Sequence, residues 1–204
     1  MNHPTSVLTR LLTGTLVMGL TLSLASCGGE ILSGSSSASD TASWGSSATA
    51  EPTFQREITV DGKAQLLELT WLCGGDCAVG YDAQRMMPDA LSSVSPMALC
   101  GTDSRDITFI VSQSDNVLSD AIAQVKENMG ENVTEETVTL GWDGLNATCL
   151  TSKANKSTLE RRYLLESDGQ VWIIAYHLPT RQQAALQPVL DAMANTFRVL
   201  PIVN

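Results

Sequence analysis

Histidine is nearly missing from this chain: two occur in 204 residues, and only His177 lies beyond the N-terminal segment. That leaves little for histidine-based acid–base chemistry or a multi-histidine metal site. Basic residues are scarce too, 12 against 22 acidic, for a net charge of −10. A nucleic-acid partner is therefore not expected, because phosphate binding draws on clustered Lys and Arg. Catalytic signatures are also missing. There is no Gly-x-Ser-x-Gly elbow, no Ser-x-x-Lys pair, no His-Glu-x-x-His helix and no phosphate-cradling glycine motif. Neither an enzyme, a cofactor nor a metal site is expected. What remains, 43% hydrophobic and 17% charged residues, suits a folded protein.

The N-terminus reads as an address. Residues 11–25 carry no charge and follow Arg10. Fifteen residues of helix span about 22 Å, short of the ~30 Å hydrocarbon core, so a signal-peptide core is expected and not a permanent span. Leu24-Ala25-Ser26-Cys27 resembles the lipobox of bacterial lipoproteins. That resemblance implies cleavage before Cys27, lipidation of its thiol, palmitate-type acylation and a domain on the extracytoplasmic side of a cell membrane. Two or three acyl chains hold a protein on a membrane stably, at about 0.8 kcal/mol per buried CH₂. In residues 28–50, 18 of 23 positions are Gly, Ser, Ala or Thr, and the only charges are Glu30 and Asp40. Such a segment buries too little apolar surface to offset its ordering entropy. The expected organisation is a signal over 1–26, lipidated Cys27 with a tether to 51, and one acidic domain over 52–204.

Within that domain the pattern mixes hairpins with two helices. Phe54, Ile58 and Val60 alternate before Asp61-Gly62, and Leu67, Leu69 and Trp71 alternate after it, a hairpin signal. Residues 107–111 read as a buried strand. Leu118, Ile122, Val125 and Met129 predict a helix over 116–129, capped by Asp115 or Asn116 and ended by Gly130. Strands are expected on both sides of the bend at 141–144. Another hairpin runs from Arg161 through Asp168-Gly169 into 171–176, a strand apolar on both faces that should lie centrally. Leu186, Val189, Leu190, Met193, Ala194 and Phe197 form the stripe of a last helix, which Pro188 must start or kink. An edge strand is expected over 197–203. The fold class is α+β: a single domain whose mostly antiparallel sheet is flanked by two main helices.

This order, with the exit Thr196-Phe197-Arg198-Val199, resembles the PsbP-like (DcrB-like) fold over about residues 54–200. Members of that family mostly serve as accessory subunits of membrane complexes, and the resemblance implies a similar role here. Cys73, Cys77, Cys100 and Cys149 remain after lipidation of Cys27. An even number outside the cytoplasm suggests two disulfides with three possible connectivities, and long-range pairing of Cys73 and Cys77 with Cys100 and Cys149 is favoured. The competing reading is a copper or redox site at Cys73-x3-Cys77 with Met86, Met87, Met97 and His177 as soft ligands.

Two places invite contact with a partner or ligand. One is the cysteine-bounded stretch 73–104, read as a long irregular loop in which Tyr81, Met86 and Met87 could line an apolar surface. The other is Gly141-Trp142-Asp143-Gly144, which presents Trp142 between flexible positions. The function expected is a non-catalytic accessory or binding subunit for an unknown envelope protein, held to the membrane through Cys27 and monomeric in its domain. The alternative is a solute- or metal-binding receptor using 73–104.

Overall fold

A computed structural model describes residues 53–74, 76–89, 97–155 and 157–200. The expected signal and tether, including Cys27, lie outside the described residues. Those that are described fall within one compact unit, Ser47–Asn204.

The elements in chain order are β1 (Thr53–Val60), β2 (Lys63–Gly74), β3 (Cys77–Tyr81), β4 (Met86–Pro88), β5 (Met97–Gly101), β6 (Thr108–Ser114) and α1 (Leu118–Met129). Then come β7 (Thr134–Leu140), β8 (Leu145–Asn155), β9 (Thr158–Ser167), β10 (Gln170–Pro179), a 3₁₀ turn (Thr180–Gln182), α2 (Gln183–Ala194) and β11 (Arg198–Val199). They build a four-stranded sheet, β1-β2-β3-β11, and a seven-stranded sheet, β4-β5-β6-β10-β9-β8-β7. Each strand pairing is antiparallel. The mostly antiparallel α+β architecture with two helices is therefore the one expected.

Both Asp-Gly turns do what their chemistry predicts. Asp61 and Gly62 (φ 50° and 74°) and Asp168 and Gly169 (φ 52° and 71°) supply the two left-handed residues of a tight hairpin. Strand β10 lies fourth of seven, and its two apolar faces meet two different layers. Trp172, Ile174 and Tyr176 join Phe109, Val111 and Leu165 in the main core, which α2 and the smaller sheet close with Val189, Leu190, Met193, Phe197, Leu67 and Leu69. Val171 and Ile173 face the other way, with Leu150 and Leu164, against Ala121, Val125 and Met129 of α1. Burying each such side chain fully contributes about 1.5–3 kcal/mol, so β10 is the central determinant of the fold.

Several expectations are corrected. The stretch 73–104 is not one irregular loop: β3, β4 and β5 occupy much of it, and Cys77, Ala78, Val79, Met86, Met97 and Leu99 are buried. Alternation there is short and interrupted by small residues, which hid the strands from a periodicity reading. Neither Asp115 nor Asn116 caps α1; Val117 holds the cap position, and Asn116 Nδ2 instead donates to Gln124 Oε1 at 2.9 Å. Pro188 lies inside α2 as its sixth residue. It removes one helical bond, to the carbonyl of Ala184, and because Ala184 is exposed, water can serve that oxygen. Of the strand expected over 197–203, the described residues show Arg198–Val199, paired with Ala78 and Cys77; positions 201–203 lie outside the described residues.

The disulfide staples are also corrected: no bridge forms among the described cysteines. Strand register excludes two of the pairings: Cys73 lies opposite Ala78 and Cys77 opposite Gly74, so these two leave the β2–β3 ladder on opposite faces. Cys100 on β5 and Cys149 on β8 have β6, β10 and β9 between them, about 19 Å and far beyond the reach of one disulfide. In the favoured long-range pairing, Cys73 is exposed while Cys100 and Cys149 are buried, and Cys77 stands at bonding distance from neither. Cys77, Cys100 and Cys149 serve as small buried side chains.

Candidate partner-binding site

The β1–β2 hairpin sets the first part of the site. Phe54 lies opposite Leu69, so Trp71 is its diagonal neighbour on the same face. Their rings stack with centroids 4.6 Å apart. Gly80 of β3 lies opposite Trp71 and leaves room for that stack, since a Cβ at Gly80 would stand 2.6 Å from Phe54 Cζ. Small size at one position thus places two aromatic rings at the next two.

The 141–144 bend supplies the third ring. Gly141 adopts φ 81°, and a Cβ there would stand 2.7 Å from the carbonyl oxygen of Phe197, so glycine is required on both counts. That approach lets the Trp142 N–H donate to the Phe197 carbonyl at 2.9 Å. Trp142 then packs edge-on to Phe54 at 5.8 Å and to Trp71 at 5.7 Å. Even so it stays 51% exposed.

Two guanidinium groups complete the cluster. Arg56 shares the face of Phe54 two residues on; its Cζ lies 5.2 Å from the Trp142 ring centre, and its Nη2 donates to the Asn195 carbonyl at 3.3 Å. Arg198 lies over Trp71 with Cζ 4.2 Å from the ring centre. Cation–π contacts of this kind contribute about 0.5–1 kcal/mol each at exposed sites. An acidic chain therefore carries a patch of three aromatic rings and two fixed positive charges.

The segment Thr196–Val199 organises this patch. Thr196 is fully buried; its Oγ1 accepts from the Gly80 N–H at 2.6 Å and donates to the Met193 carbonyl at 2.6 Å. Phe197 packs on Trp172 at 5.3 Å, Arg198 covers Trp71, and Val199 pairs with Cys77. Four consecutive residues so tie the end of α2 to β3, the core, the aromatic patch and the sheet edge.

A second polar feature locks α2 to the large sheet. Asp191 accepts from Tyr163 Oη at 2.6 Å, from Tyr176 Oη, and from Arg161 Nη1 at 2.9 Å. Arg161 also donates through Nε to Cys149 Sγ at 2.9 Å and pairs with Glu136. Burial, reinforced by the Asp191 charge, raises both tyrosine hydroxyls far above their ordinary range, so they are neutral donors. Burial also raises the Cys149 thiol. Cys77 is pushed up to about 12 by burial and then by the Asp76 charge. Thiols protonated at neutral pH are poor nucleophiles and poor ligands.

The other sequence candidates are dispersed. Tyr81 ends β3 and packs partly against the main core. Met86 is buried on β4, and Met87 beside it is 37% exposed. Strand β4 is one edge of the large sheet and β7, which leads to Trp142, is the other, so the two regions singled out in the sequence do not form one surface. Met97 is buried, and His177 Nδ1 pairs with Thr108 Oγ1 at 2.8 Å. Among the described residues no group of three or more His, Cys, Asp or Glu is placed to hold a metal ion. Of the expected contact residues, Trp142 alone belongs to the cluster; Phe54, Arg56, Trp71 and Arg198 were missed. The signal was present in the shared-face spacing of Phe54 with Arg56 and of Leu69 with Trp71.

The sequence matches no known family profile and no curated protein. Among solved structures it is similar to cyanobacterial PsbP (CyanoP) from Synechocystis sp. PCC 6803, at 13% identity and a TM-score of 0.45, over 64% of this chain and 92% of that one. It is also similar to a protein of unknown function, PA94 from Pseudomonas aeruginosa, described as a putative regulator, at 12% identity and a TM-score of 0.36, over 74% and 99% of the two chains.

Proposed function

We propose that the chain is a lipid-anchored extracytoplasmic lipoprotein, attached through Cys27, whose domain serves as a non-catalytic accessory subunit of an envelope membrane protein. The contact face is the cluster of Phe54, Trp71, Trp142, Arg56 and Arg198. One observation carries this reading: Trp142 is held in place by four separate contacts yet remains half exposed. A large side chain fixed in advance loses little entropy on binding, and Trp and Arg dominate the energetic centres of protein interfaces. The paired guanidiniums favour a partner surface with carboxylates or exposed carbonyl oxygens. Assignment to the PsbP-like fold belongs to the same proposal, supported by the antiparallel sheet, the helix order and the Thr196–Val199 exit.

The test is affinity capture of the full chain from detergent-solubilised membranes after gentle crosslinking. The wild-type chain should recover one membrane protein in stoichiometric amount, and Trp142→Ala should reduce that recovery about tenfold. Cys27→Ser removes the thiol and should leave the chain unprocessed and without lipid at that position. Recovery of the wild-type protein alone would contradict the accessory role.

A further inference from the structure

Arg85, Arg105, Arg161 and Arg162 each pair with a carboxylate of this chain. Among the described residues Arg56, Arg181 and Arg198 have no such partner, and Arg181 is exposed in the 3₁₀ turn. Arg56 and Arg198 are half-buried and fixed over the indole rings of Trp142 and Trp71, whose centres lie 5.7 Å apart. In a chain of net charge −10, the fold therefore gathers two guanidiniums over neighbouring rings and, among the described residues, gives neither a carboxylate. Like charges held close repel each other, and an indole face, which carries no net charge, offsets only part of this. Each guanidinium has five N–H donors; Arg56 commits one of them to the Asn195 carbonyl, which is also neutral.

The charge balance selects among the acceptors that a partner can offer. A carbonyl oxygen leaves both positive charges uncompensated. A carboxylate compensates one guanidinium and meets its planar fork with two oxygens. An anionic bilayer fits less well, because its charge extends over a whole face of the domain and meets the acidic remainder. A short segment is screened from that remainder beyond about 8 Å. Resting on the partner-binding reading of this face, we infer that its occupant is an acidic peptide segment of the partner. One carboxylate is held by Arg56, a second by Arg198, and an apolar side chain between them packs on the exposed part of Trp142. The two arginines thus select for charge, and Trp142 supplies contact area.

The probe is acetyl-Glu-Glu-Phe-Glu-Glu-amide, and acetyl-Gln-Gln-Phe-Gln-Gln-amide is its uncharged match. Each is added to the full chain, labelled with ¹⁵N-tryptophan in nonionic detergent micelles. Trp71→Phe and Trp142→Phe identify those two indole N–H signals. The acidic peptide should shift both saturably, and the uncharged one should bind on the order of tenfold more weakly. The double variant Arg56→Gln, Arg198→Gln should bind both peptides alike, with a circular dichroism spectrum that matches the wild type. Equal binding of the two peptides by the wild-type chain, or unmoved signals at millimolar peptide, would overturn the inference. So would saturable shifts with phosphatidylglycerol vesicles that the acidic peptide does not displace, which would give the face to lipid. If Trp142→Ala still reduces capture of a membrane protein, these results remove the acidic segment alone; the accessory reading falls when wild-type capture itself fails.

Discussion

The backbone N–H of Trp142 donates to the carbonyl of Phe197 at 2.9 Å, across 55 residues of chain. One hydrogen bond thereby joins the bend after β7 to the exit of α2. It sets the height at which the Trp142 ring meets Phe54 and Trp71, and Gly141 is the residue that permits the approach. The aromatic face is thus a product of backbone placement, with side-chain packing added to it.

Thr196→Val should destabilise the domain by about 1–3 kcal/mol, because it leaves the buried Gly80 N–H without its acceptor while preserving shape. Urea unfolding followed by far-ultraviolet circular dichroism measures this. A change below about 0.5 kcal/mol would mean that Thr196 is not the clamp between α2 and β3.

Asp191→Asn should cost about 2 kcal/mol, since Arg161 loses the less exposed of its two charged partners and an amide replaces an acceptor shared by two tyrosines. Glu136→Gln removes the more exposed partner of the same arginine and should cost less than about 0.5 kcal/mol. Equal effects in parallel urea titrations would show that the network holds nothing together.

Stability should fall in alkali. Burial raises Cys77 from an ordinary value of 9.0 to about 12, so between these values the unfolded chain has lost a proton that the folded chain keeps. Unfolding is then favoured as pH rises, and the contribution is intact below about pH 9. Tyr163 and Tyr176 act in the same direction, because each is buried neutral. Urea midpoints should decline across that window, and Cys77→Ala should shallow the decline. A flat profile would contradict the burial of these protonated groups.

Alkylation tests the thiol assignment. In the native chain Cys73, which is exposed, should react well ahead of Cys77, Cys100 and Cys149. In denaturant without reductant all four should react, read by intact mass. A pair that reacts only after reduction would restore the disulfide reading.

Much of this fold was legible because its strongest elements carry redundant signals. The strand 171–176 has apolar residues on both faces and an Asp-Gly turn before it, and it occupies the centre of the large sheet. The helix over 118–129 has a regular apolar spacing and a terminal glycine. Three strands in 77–101 escaped, because β4 is only three residues long and the other two are short and rich in Gly, Ala and Cys, whose burial leaves little periodic trace. The cysteine count suggested staples, since sequence spacing contains no information on which sheet, or which face, each thiol occupies. The site was half legible. Trp142 stood out as an aromatic residue in a glycine-rich bend, but its neighbours come from positions 54, 56, 71 and 198, which only the tertiary fold brings together.

Site-specific photo-crosslinking tests the central claim most directly. A benzophenone amino acid at Trp142, and in a second strain at Val117, which is 64% exposed at the start of α1, reports which face meets a partner in intact cells. The account predicts one discrete crosslinked product at position 142 and none at position 117. Equal crosslinking at both positions, or none at 142 with the chain present at the membrane, would contradict it.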